Sequence, residues 1–387
     1  MTEFESNLIS LIKSGLSGER CSISNSLDWE MVYKYAVRHH IVILCYYGII
    51  NSGIVLSKDI FDRFKSAAYK HIYISNNQLF EISRIKKAFD VEKISYCFLK
   101  GSILKSKYQK AELRYMGDAD VLIRSEQYEK ITEILKSMGY EYSHETDNHF
   151  VWNNKGKLML ELHTSPVSEY NKDFTRYYGD GWKFFDSDNS SYLIENHYVF
   201  IFAHFAKHYR NGGAGIKYIN DLYVYNKAYP DMDNEYISSQ LEKLGLLEFY
   251  RNVMKTVEVW FNKKTPDVVT DCITNRVFKS GAYGTADDHI ISKQYKNTKA
   301  GETVFKGRAK KALQSVFPRY ETVCKIYPIT AKIPILLPFM WVYRWFEVLF
   351  TRRHHISKTF NSIKVLNNAN VNSFKEELLL VGLDFND

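Results

Sequence analysis

The sequence has little proline and glycine, and its cysteines form no motif. Among 387 residues there are 7 prolines and 19 glycines, which excludes collagen-like and low-complexity chains. The 5 cysteines are odd in number and include no CxxC pair, so the sequence predicts neither a disulfide framework nor a zinc site. These absences favour a folded protein of a reducing compartment, and we expect a cytoplasmic location.

The chain also lacks a large excess of one charge sign. It contains 52 Lys and Arg against 44 Asp and Glu, a net charge of +8. This balance favours anionic partners such as phosphates, but it singles out neither nucleic acid nor a membrane. The N-terminal segment 1–15 carries Glu3 and Glu5 and has no apolar run, so it does not resemble a secretory signal.

The apolar pattern changes along the chain and predicts an α+β fold, with a small mixed-sheet core embedded in N-terminal and C-terminal helical regions. We predict an N-terminal helical region at 1–93 and an α/β core at 94–170. A helical domain at 171–260 would complete the active-site cleft, and a mostly helical region would follow at 261–387. Within this last region, the polar and lysine-rich stretch 286–304 predicts a mobile surface loop.

Short apolar runs predict the strands of the core. Residues 95–99 and 119–123 indicate buried strands, and a helix over 125–138 is expected to follow the second. Residues 150–152 and 158–163 flank a turn-forming Asn-Asn-Lys-Gly cluster, which predicts a hairpin.

One segment approaches the length of a membrane span. Residues 333–350 are apolar but include Pro334, Pro338, Arg344 and Glu347, and a spanning helix would have to bury the charged pair. Since basic residues follow, one interpretation is a peripheral membrane contact through an interfacial amphipathic helix. The other, which the pattern favours, is a core helix of the C-terminal region.

Asp118 and Asp120 stand one residue apart at the start of an apolar strand. The two-residue period of a strand directs both carboxylates to the same side. Carboxylates this close repel each other unless a cation neutralises them, and hard oxygen ligands favour Mg²⁺ or Mn²⁺. Such a pair also occurs by chance in solvated loops and in sugar-nucleotide glycosyltransferases, so alone it is weak evidence.

Glu161 is a second source of negative charge. In residues 158–163 the leucines fall on one face of the predicted strand, and Glu161 and His163 fall on the other. If this strand lies beside the Asp118 strand, Glu161 completes a cluster of three acids that binds a metal or deprotonates a hydroxyl. In the alternative interpretation this is an exposed edge strand, and Glu161 faces water.

Residues 99–102 add a Leu-Lys-Gly-Ser turn between a predicted strand and a short helix. Glycine would let the backbone approach a phosphate, and a helix N-terminus presents N–H groups to an anion. The dipeptide carries little information by itself. The order of features matters more: Gly-Ser, then Arg114 and Gly117 leading into the acidic pair, then the strand of Glu161.

This order resembles the polymerase-β-like nucleotidyltransferases, and in particular the branch described as uncharacterised nucleotidyltransferases, often encoded beside bacterial glycan-assembly genes. The matching stretches are FLKGSIL at 98–104, RYMGDADVLI at 114–123, LELH at 160–163 and HFAKHYRNGGAGIKYINDLYVY at 204–225. The sequence departs from the usual pattern at Ala119, where Ile is typical, and at Glu161, where Asp is common. Lys217 stands where Arg is frequent.

The resemblance implies nucleotidyl transfer from a nucleoside triphosphate, such as ATP, to an acceptor with release of pyrophosphate. Asp118, Asp120 and Glu161 would be the catalytic acids and the ligands of Mg²⁺ or Mn²⁺. The expected nucleotide-binding residues are Lys100, Gly101, Ser102, Arg114, His204, Lys207 and His208. For the basic residues of 204–208, a solvated helix face is the alternative. Lys217 and Asp221 would form a supporting pair one helical turn apart.

Three hypotheses follow for the function. The first is an enzyme that transfers a nucleotide to an acceptor hydroxyl or phosphate, such as a sugar phosphate of polysaccharide biosynthesis; a nucleic acid acceptor is not indicated. The second is a DxD-type glycosyltransferase, which the lack of alternating β/α repeats before Asp118 disfavours. The third is a catalytically idle nucleotide-binding or partner-binding module of the same fold.

Overall fold

The computed structural model describes residues 1–24, 26–146, 148–168, 172–186, 191–351 and 363–384. These residues form two compact units. The first unit comprises residues 1–207 and 214–283, and the second comprises residues 208–213 and 284–384. A five-stranded mixed sheet flanked by many helices confirms the predicted α+β class. The four regions drawn from the sequence, with boundaries after residues 93, 170 and 260, stay predictions.

Helices make up most of the first unit. They are α1 (Glu3–Ser17), α2 (Trp29–Arg38), α3 (Val42–Ser52), α4 (Lys58–Val91), α5 (Gly101–Leu104), α6 (Tyr128–Ser137), α7 (Lys172–Tyr178), α8 (Trp182–Phe185), α9 (Leu193–Asn211), α10 (Ile216–Ala228), α11 (Asn234–Lys243), α12 (Leu247–Asn262) and α13 (Val268–Ser280). The last turn of α9 continues into the second unit. Side-chain caps begin several of these helices; Thr2 and Glu5, for example, form a capping box at α1.

The sheet lies in the middle of the first unit. Its strands are β1 (Tyr96–Phe98), β2 (Ala119–Ile123), β3 (Glu141–Glu145), β4 (His149–Asn154) and β5 (Leu158–His163). They are arranged in the order β1-β2-β5-β4-β3. The β2–β5 pair is parallel, whereas the other three pairs are antiparallel. The predicted hairpin is therefore β4–β5, and its parallel neighbour is the strand that carries Asp120.

Alternation along the strands assigns one face of the sheet to the core. Leu158, Leu160 and Leu162 of β5 are buried in one hydrophobic cluster with Ala119, Val121 and Ile123 of β2. Residues of α4 and α6 pack on the same cluster: Ile82, Ile85 and Phe89 from α4, and Ile131 and Leu135 from α6. The opposite face of the two strands thus carries the intervening residues, among them Asp120, Glu161 and His163.

The second unit corrects one sequence prediction. Its helices are α14 (Ala286–Lys299), α15 (Val304–Val316), α16 (Tyr320–Ile326), α17 (Ile329–Lys332), α18 (Leu337–Thr351) and α19 (Asn368–Val381). The stretch 286–304, expected to be a mobile loop, is mostly the helix α14. Thr285 caps its first turn, and Ile291 and Tyr295, one turn apart, are buried. With only Ile291 and Tyr295 as buried apolar residues, the stretch has too little apolar periodicity to predict this helix.

The structure also contradicts the favoured interpretation of the apolar segment near residue 340. Residues 331–347 include no buried side chain, so the interpretation as a core helix is wrong. None of the helices in the described part of the chain combines the length and apolar character that a membrane crossing requires.

Candidate active site

The parallel pairing of β2 with β5 brings the predicted acids together. Asp120 on β2 is the register partner of Glu161 on β5. Asp118 lies two residues before Asp120, and the strand period directs it to the same face. Because β5 lies between β2 and β4, the alternative interpretation of Glu161 on an exposed edge strand is wrong.

Asp120 is the most deeply buried of the three acids, with 4% of its surface exposed. Its Oδ1 atom accepts a hydrogen bond from the Lys100 ammonium and lies 2.9 Å from Nε2 of His163. Burial alone would raise the pKa of Asp120. The two basic neighbours outweigh burial and hold that pKa well below its usual range. Asp120 is therefore a carboxylate at neutral pH.

The pKa of Asp118 is shifted in the opposite direction from that of Asp120. Its pKa is raised to about 6, first by burial and then by the negative charges of Asp120 and Glu161. Lys100 and Lys217 oppose this rise without cancelling it. A bound cation would relieve the same repulsion and favour the ionised form of Asp118.

Two histidines surround the Glu161 carboxylate. Oε2 of Glu161 lies 3.4 Å from Nε2 of His163 and 3.7 Å from Nε2 of His149. Burial would raise the pKa of Glu161, but the interaction with His163 lowers it overall. Asn148 contacts Nδ1 of both rings, at 3.4 Å from His163 and 3.2 Å from His149, and so fixes which nitrogen faces the acid.

The donor set fits a divalent metal in two overlapping ways. The carboxylates of Asp118, Asp120 and Glu161 are the hard oxygen ligands that Mg²⁺ and Mn²⁺ prefer. One ligand atom each from His149, Glu161 and His163 lies within 4.8 Å of the other two. Imidazole ligands extend the range of suitable ions to borderline metals such as Zn²⁺.

The Lys100-Gly101-Ser102 turn lies against this cluster. Lys100 has a positive φ of 47°, which is uncommon for a residue with a side chain, and its ammonium reaches Asp120. A Cβ at Gly101 would stand 2.7 Å from Nη1 of Arg114, so a larger residue there would displace the Arg114 guanidinium. The following helix has four residues, and the Ser102 hydroxyl lies 3.8 Å from the Met116 sulfur. The phosphate role of this turn stays a prediction.

Arg114, predicted to bind the nucleotide, is engaged inside the protein. Its Nε and Nη2 donate to the two carboxylate oxygens of Asp221, and Nη1 donates to the backbone oxygen of Tyr115. The Tyr108 hydroxyl donates to the same Asp221 at 2.7 Å. Asp221 therefore pairs with Arg114 and Tyr108, and the predicted pairing with Lys217 is wrong.

Lys217 faces the acidic cluster instead, a role that the sequence analysis missed. Its pKa is lowered to about 8 by burial and by Arg114, while Asp221, Asp118 and Asp120 favour its charged form. The Lys217 ammonium lies 4.4 Å from the ring centre of Tyr283. The available signal was that Lys217 stands where the family often has Arg, but a supporting role was assigned to it.

Aromatic rings form a wall beside Asp118. Tyr115 stacks between His40, at 4.1 Å between ring centres, and His71, at 5.6 Å. Tyr283 contacts the edge of His40 and is 51% exposed. Burial and the charges of Tyr115 and Asp118 raise the pKa of Tyr283 to about 12, so its hydroxyl stays protonated. Tyr115 belongs to the matching stretch 114–123, but His40, His71 and Tyr283 come from distant segments and no motif signalled them.

The remaining predicted residues lie on α9. His204 and Lys207 are half-buried in the first unit, and the His204 ring centre lies 6.0 Å from that of Tyr218, the residue after Lys217. His208 lies on the part of α9 that belongs to the second unit. Their nucleotide-binding roles stay predictions.

The comparisons with known proteins agree with this geometry at the level of the family. A family model described as "Uncharacterised nucleotidyltransferase" matches residues 25–262. The match covers more than half of the chain and includes all three acids. No curated protein and no solved structure matches the chain.

Proposed function

Because this chain belongs to the uncharacterised nucleotidyltransferase family, we propose that it transfers a nucleoside monophosphate from a nucleoside triphosphate to an acceptor hydroxyl or phosphate. The observation that carries the proposal is the pairing of Asp120 with Glu161 on parallel strands, with Asp118 two residues before Asp120. A buried acidic cluster of this kind is the usual setting for metal-assisted phosphoryl chemistry.

In the proposed reaction an acceptor oxygen attacks the α-phosphorus of the triphosphate. A new oxygen–phosphorus bond forms, the bond from the α-phosphorus to the bridging oxygen of the β-phosphate breaks, and pyrophosphate leaves. If the acceptor is a hydroxyl, its proton passes to Glu161, whose side chain is more exposed than that of Asp120.

Asp118, Asp120 and Glu161 would hold Mg²⁺ or Mn²⁺, which supplies charge neutralisation for the triphosphate and lowers the pKa of the acceptor. The chain's own cations contribute separately. Lys217 lies within electrostatic range of Asp118 and Asp120, where it would offset charge that develops on the phosphates. Lys100 neutralises Asp120, and His163 orients the same carboxylate through Nε2.

The other hypotheses have less support. The sheet of this chain has antiparallel neighbours on three of its four pairs, unlike the parallel sheet of a doubly wound sugar-nucleotide domain. A glycan-pathway acceptor, such as a sugar phosphate, is consistent with the family resemblance and remains part of the proposal. An idle module would bind nucleotide and metal without turnover.

Thermal unfolding with each of the four common NTPs, with and without Mg²⁺ or Mn²⁺, tests the site directly. We expect a rise in melting temperature that needs both metal and triphosphate, because a ligand that binds only the folded state stabilises it by mass action. Asp118→Asn and Asp120→Asn should abolish the rise. Asp231→Asn, an exposed acid of the same unit, is the matched control and should retain it.

Turnover is then measured as pyrophosphate release in the presence of candidate sugar phosphates. Release that requires the intact acids supports the enzyme. Equal thermal shifts in wild type and Asp118→Asn would refute the metal–nucleotide site. Binding that depends on the acids, but without turnover on any acceptor, would favour the idle module.

A further inference from the structure

One face of the helix α18, in the second unit, donates side-chain hydrogen bonds to backbone oxygens of residues 315–318. Nε1 of Trp341 donates to the backbone oxygen of Pro318 at 3.0 Å, and Nη1 of Arg344 donates to that of Ser315 at 3.0 Å. Trp345 does the same, from Nε1 to the Val316 oxygen at 2.7 Å. These bonds attach one face of α18 to the last residues of α15 and to Pro318 just after it.

The opposite face of α18 is apolar and exposed. Phe339, Val342, Tyr343 and Phe346 are 70%, 44%, 57% and 57% exposed, respectively. They are spaced i, i+3, i+4 and i+7, so they form one stripe along the helix. A surface helix of a water-soluble protein normally presents polar residues at these positions. We call these four residues the α18 stripe.

Exposed apolar side chains continue before the helix. Ile335 is 79% exposed in the turn that precedes α18, and Ile333 is 46% exposed. In α15, Phe305 and Leu313 are 79% and 61% exposed. A stripe of exposed apolar side chains along one helix, as on α18, is uncommon on soluble proteins and marks a contact surface.

Cations outnumber acids in the segment that contains α15 and α18. Residues 303–351 contain 8 Lys and Arg and only 2 acids, whereas the entire chain contains 52 and 44. This segment therefore supplies +6 of the net charge of +8. Several of these cations are exposed, among them Lys306, Lys310 and Lys332.

We propose that the α18 stripe, together with the exposed Lys306, Lys310 and Lys332 of the same unit, binds the surface of an anionic phospholipid bilayer. An apolar helical stripe with aromatic residues inserts about 5–10 Å into the boundary between headgroups and acyl chains, while basic side chains contact anionic headgroups. The second unit presents both features, whereas a neutral membrane offers no partner for the cations. The proposal concerns the second unit alone and does not rest on the proposed function.

Flotation of the full-length chain with vesicles tests the proposal. The vesicles contain phosphatidylcholine alone or phosphatidylcholine with an equal amount of phosphatidylglycerol. We expect flotation with the anionic vesicles only. Raising the salt from about 0.1 M to about 1 M should weaken it, because the Debye length falls from about 10 Å to about 3 Å.

Matched variants separate the stripe from general surface hydrophobicity. Phe339→Ser/Tyr343→Ser removes one Phe and one Tyr from the stripe and should lower partitioning by about tenfold or more. Tyr73→Ser/Phe80→Ser removes the same two residue types from exposed positions of α4, 67% and 64% exposed, and should leave partitioning unchanged.

A second pair of variants tests the charge. Lys306→Gln/Lys310→Gln/Lys332→Gln should weaken binding to anionic vesicles, whereas Lys70→Gln/Lys87→Gln/Lys136→Gln, three exposed lysines of the first unit, should not. Circular dichroism of all four variants establishes that they are folded.

Several outcomes would overturn the proposal. One is that the chain stays unbound with anionic vesicles, and another is that stripe and control variants float equally. If the chain retards polyuridylate but not vesicles, the cations serve nucleic acid instead. If light scattering shows a dimer that the stripe variant dissociates, the stripe is an interface between copies. Asp118→Asn should float like wild type, which separates this test from that of the active site.

Discussion

Arg114 and Asp221 form a two-point ion pair inside the first unit, with Nε–Oδ1 at 2.9 Å and Nη2–Oδ2 at 3.0 Å. The residues are 8% and 1% exposed. Since Nη1 of Arg114 also approaches Gly101, the pair fixes the segment before Asp118 against the turn at Lys100. This arrangement gives Arg114 a structural task close to the site rather than a free guanidinium for phosphate.

Arg114→Gln should therefore reduce stability strongly. It leaves the Asp221 carboxylate buried without its cation, which costs about 3–5 kcal/mol in comparable cases. The free energy of unfolding, measured with urea, checks this value. Arg63→Gln breaks an exposed ion pair with Glu30 and should cost at most about 1 kcal/mol.

The result also decides the role of Arg114 in binding. If Arg114→Gln keeps wild-type stability but loses the NTP-dependent thermal shift, its guanidinium contacts the nucleotide as the sequence predicted.

Asp118 should make stability depend on pH in the absence of divalent cations. Its pKa is about 6 in the folded chain and near 3.8 when unfolded, so the folded state binds the proton more tightly. The stability from this proton is full below pH 3.8 and is lost as pH rises through about 6. Asp118→Asn removes this dependence and should gain about 1–3 kcal/mol relative to wild type between about pH 4 and pH 7.

Urea unfolding in EDTA across this pH range measures the difference. Asp231→Asn should follow the wild-type curve. A constant difference between wild type and Asp118→Asn would show that Asp118 does not titrate in this range.

Lys100→Met should make the fold more dependent on metal. The substitution takes the ammonium away from the buried Asp120 carboxylate. Among the described residues, His163 is then the remaining side chain within hydrogen-bond distance of this carboxylate. We expect a lower melting temperature without metal and a larger rise with Mg²⁺ than in wild type, because the cation replaces the lost charge. Thermal unfolding over a Mg²⁺ titration measures both effects.

Lys86→Met, at an exposed position of α4, serves as the control for removing a lysine. If Mg²⁺ raises the melting temperature of Lys100→Met no more than that of wild type, the metal does not approach Asp120.

Lys217→Gln should weaken triphosphate binding while it leaves the fold intact. Burial and Arg114 lower the pKa of Lys217 to about 8, which still leaves its ammonium mostly charged at neutral pH, within electrostatic range of Asp118 and Asp120. We expect a loss of about tenfold in NTP affinity, and Lys217→Arg should recover part of it. Isothermal titration with Mg²⁺ present gives the affinities.

Lys227 offers a matched control on the same helix. Its ammonium also lies over a tyrosine ring, at 5.7 Å from that of Tyr223, but it is exposed. If Lys227→Gln weakens binding as much as Lys217→Gln, the effect comes from net charge and not from the position of Lys217.

The sequence predicted those parts of the site whose pattern lies within a few consecutive residues. The apolar run at 119–123 and the alternation at 158–163 each indicate a strand, and the structure has a strand at both places. By contrast, β3 (Glu141–Glu145) is exposed at all five positions, so no apolar pattern marked it. It is held by its pairing with β4, which depends on the tertiary structure.

Contacts between distant segments could not be predicted in the same way. Arg114 and Asp221 are 107 residues apart, and Tyr283 reaches Lys217 from beyond α13. Each of these residues is also a plausible surface residue when considered alone. Their partners are decided by how the helices pack around the sheet, and a local pattern does not encode that packing.

The two-residue alternation of β5 assigns its leucines to the core and Glu161 and His163 to the opposite face. If β5 slipped by one residue against β2, Glu161 would be buried among the apolar side chains that now pack against the leucines. A leucine would then lie beside Asp120. Such a slipped chain would lose core packing and acidic cluster in the same step. Damage to the sheet should therefore lower the number of active molecules, while each molecule that folds keeps full activity.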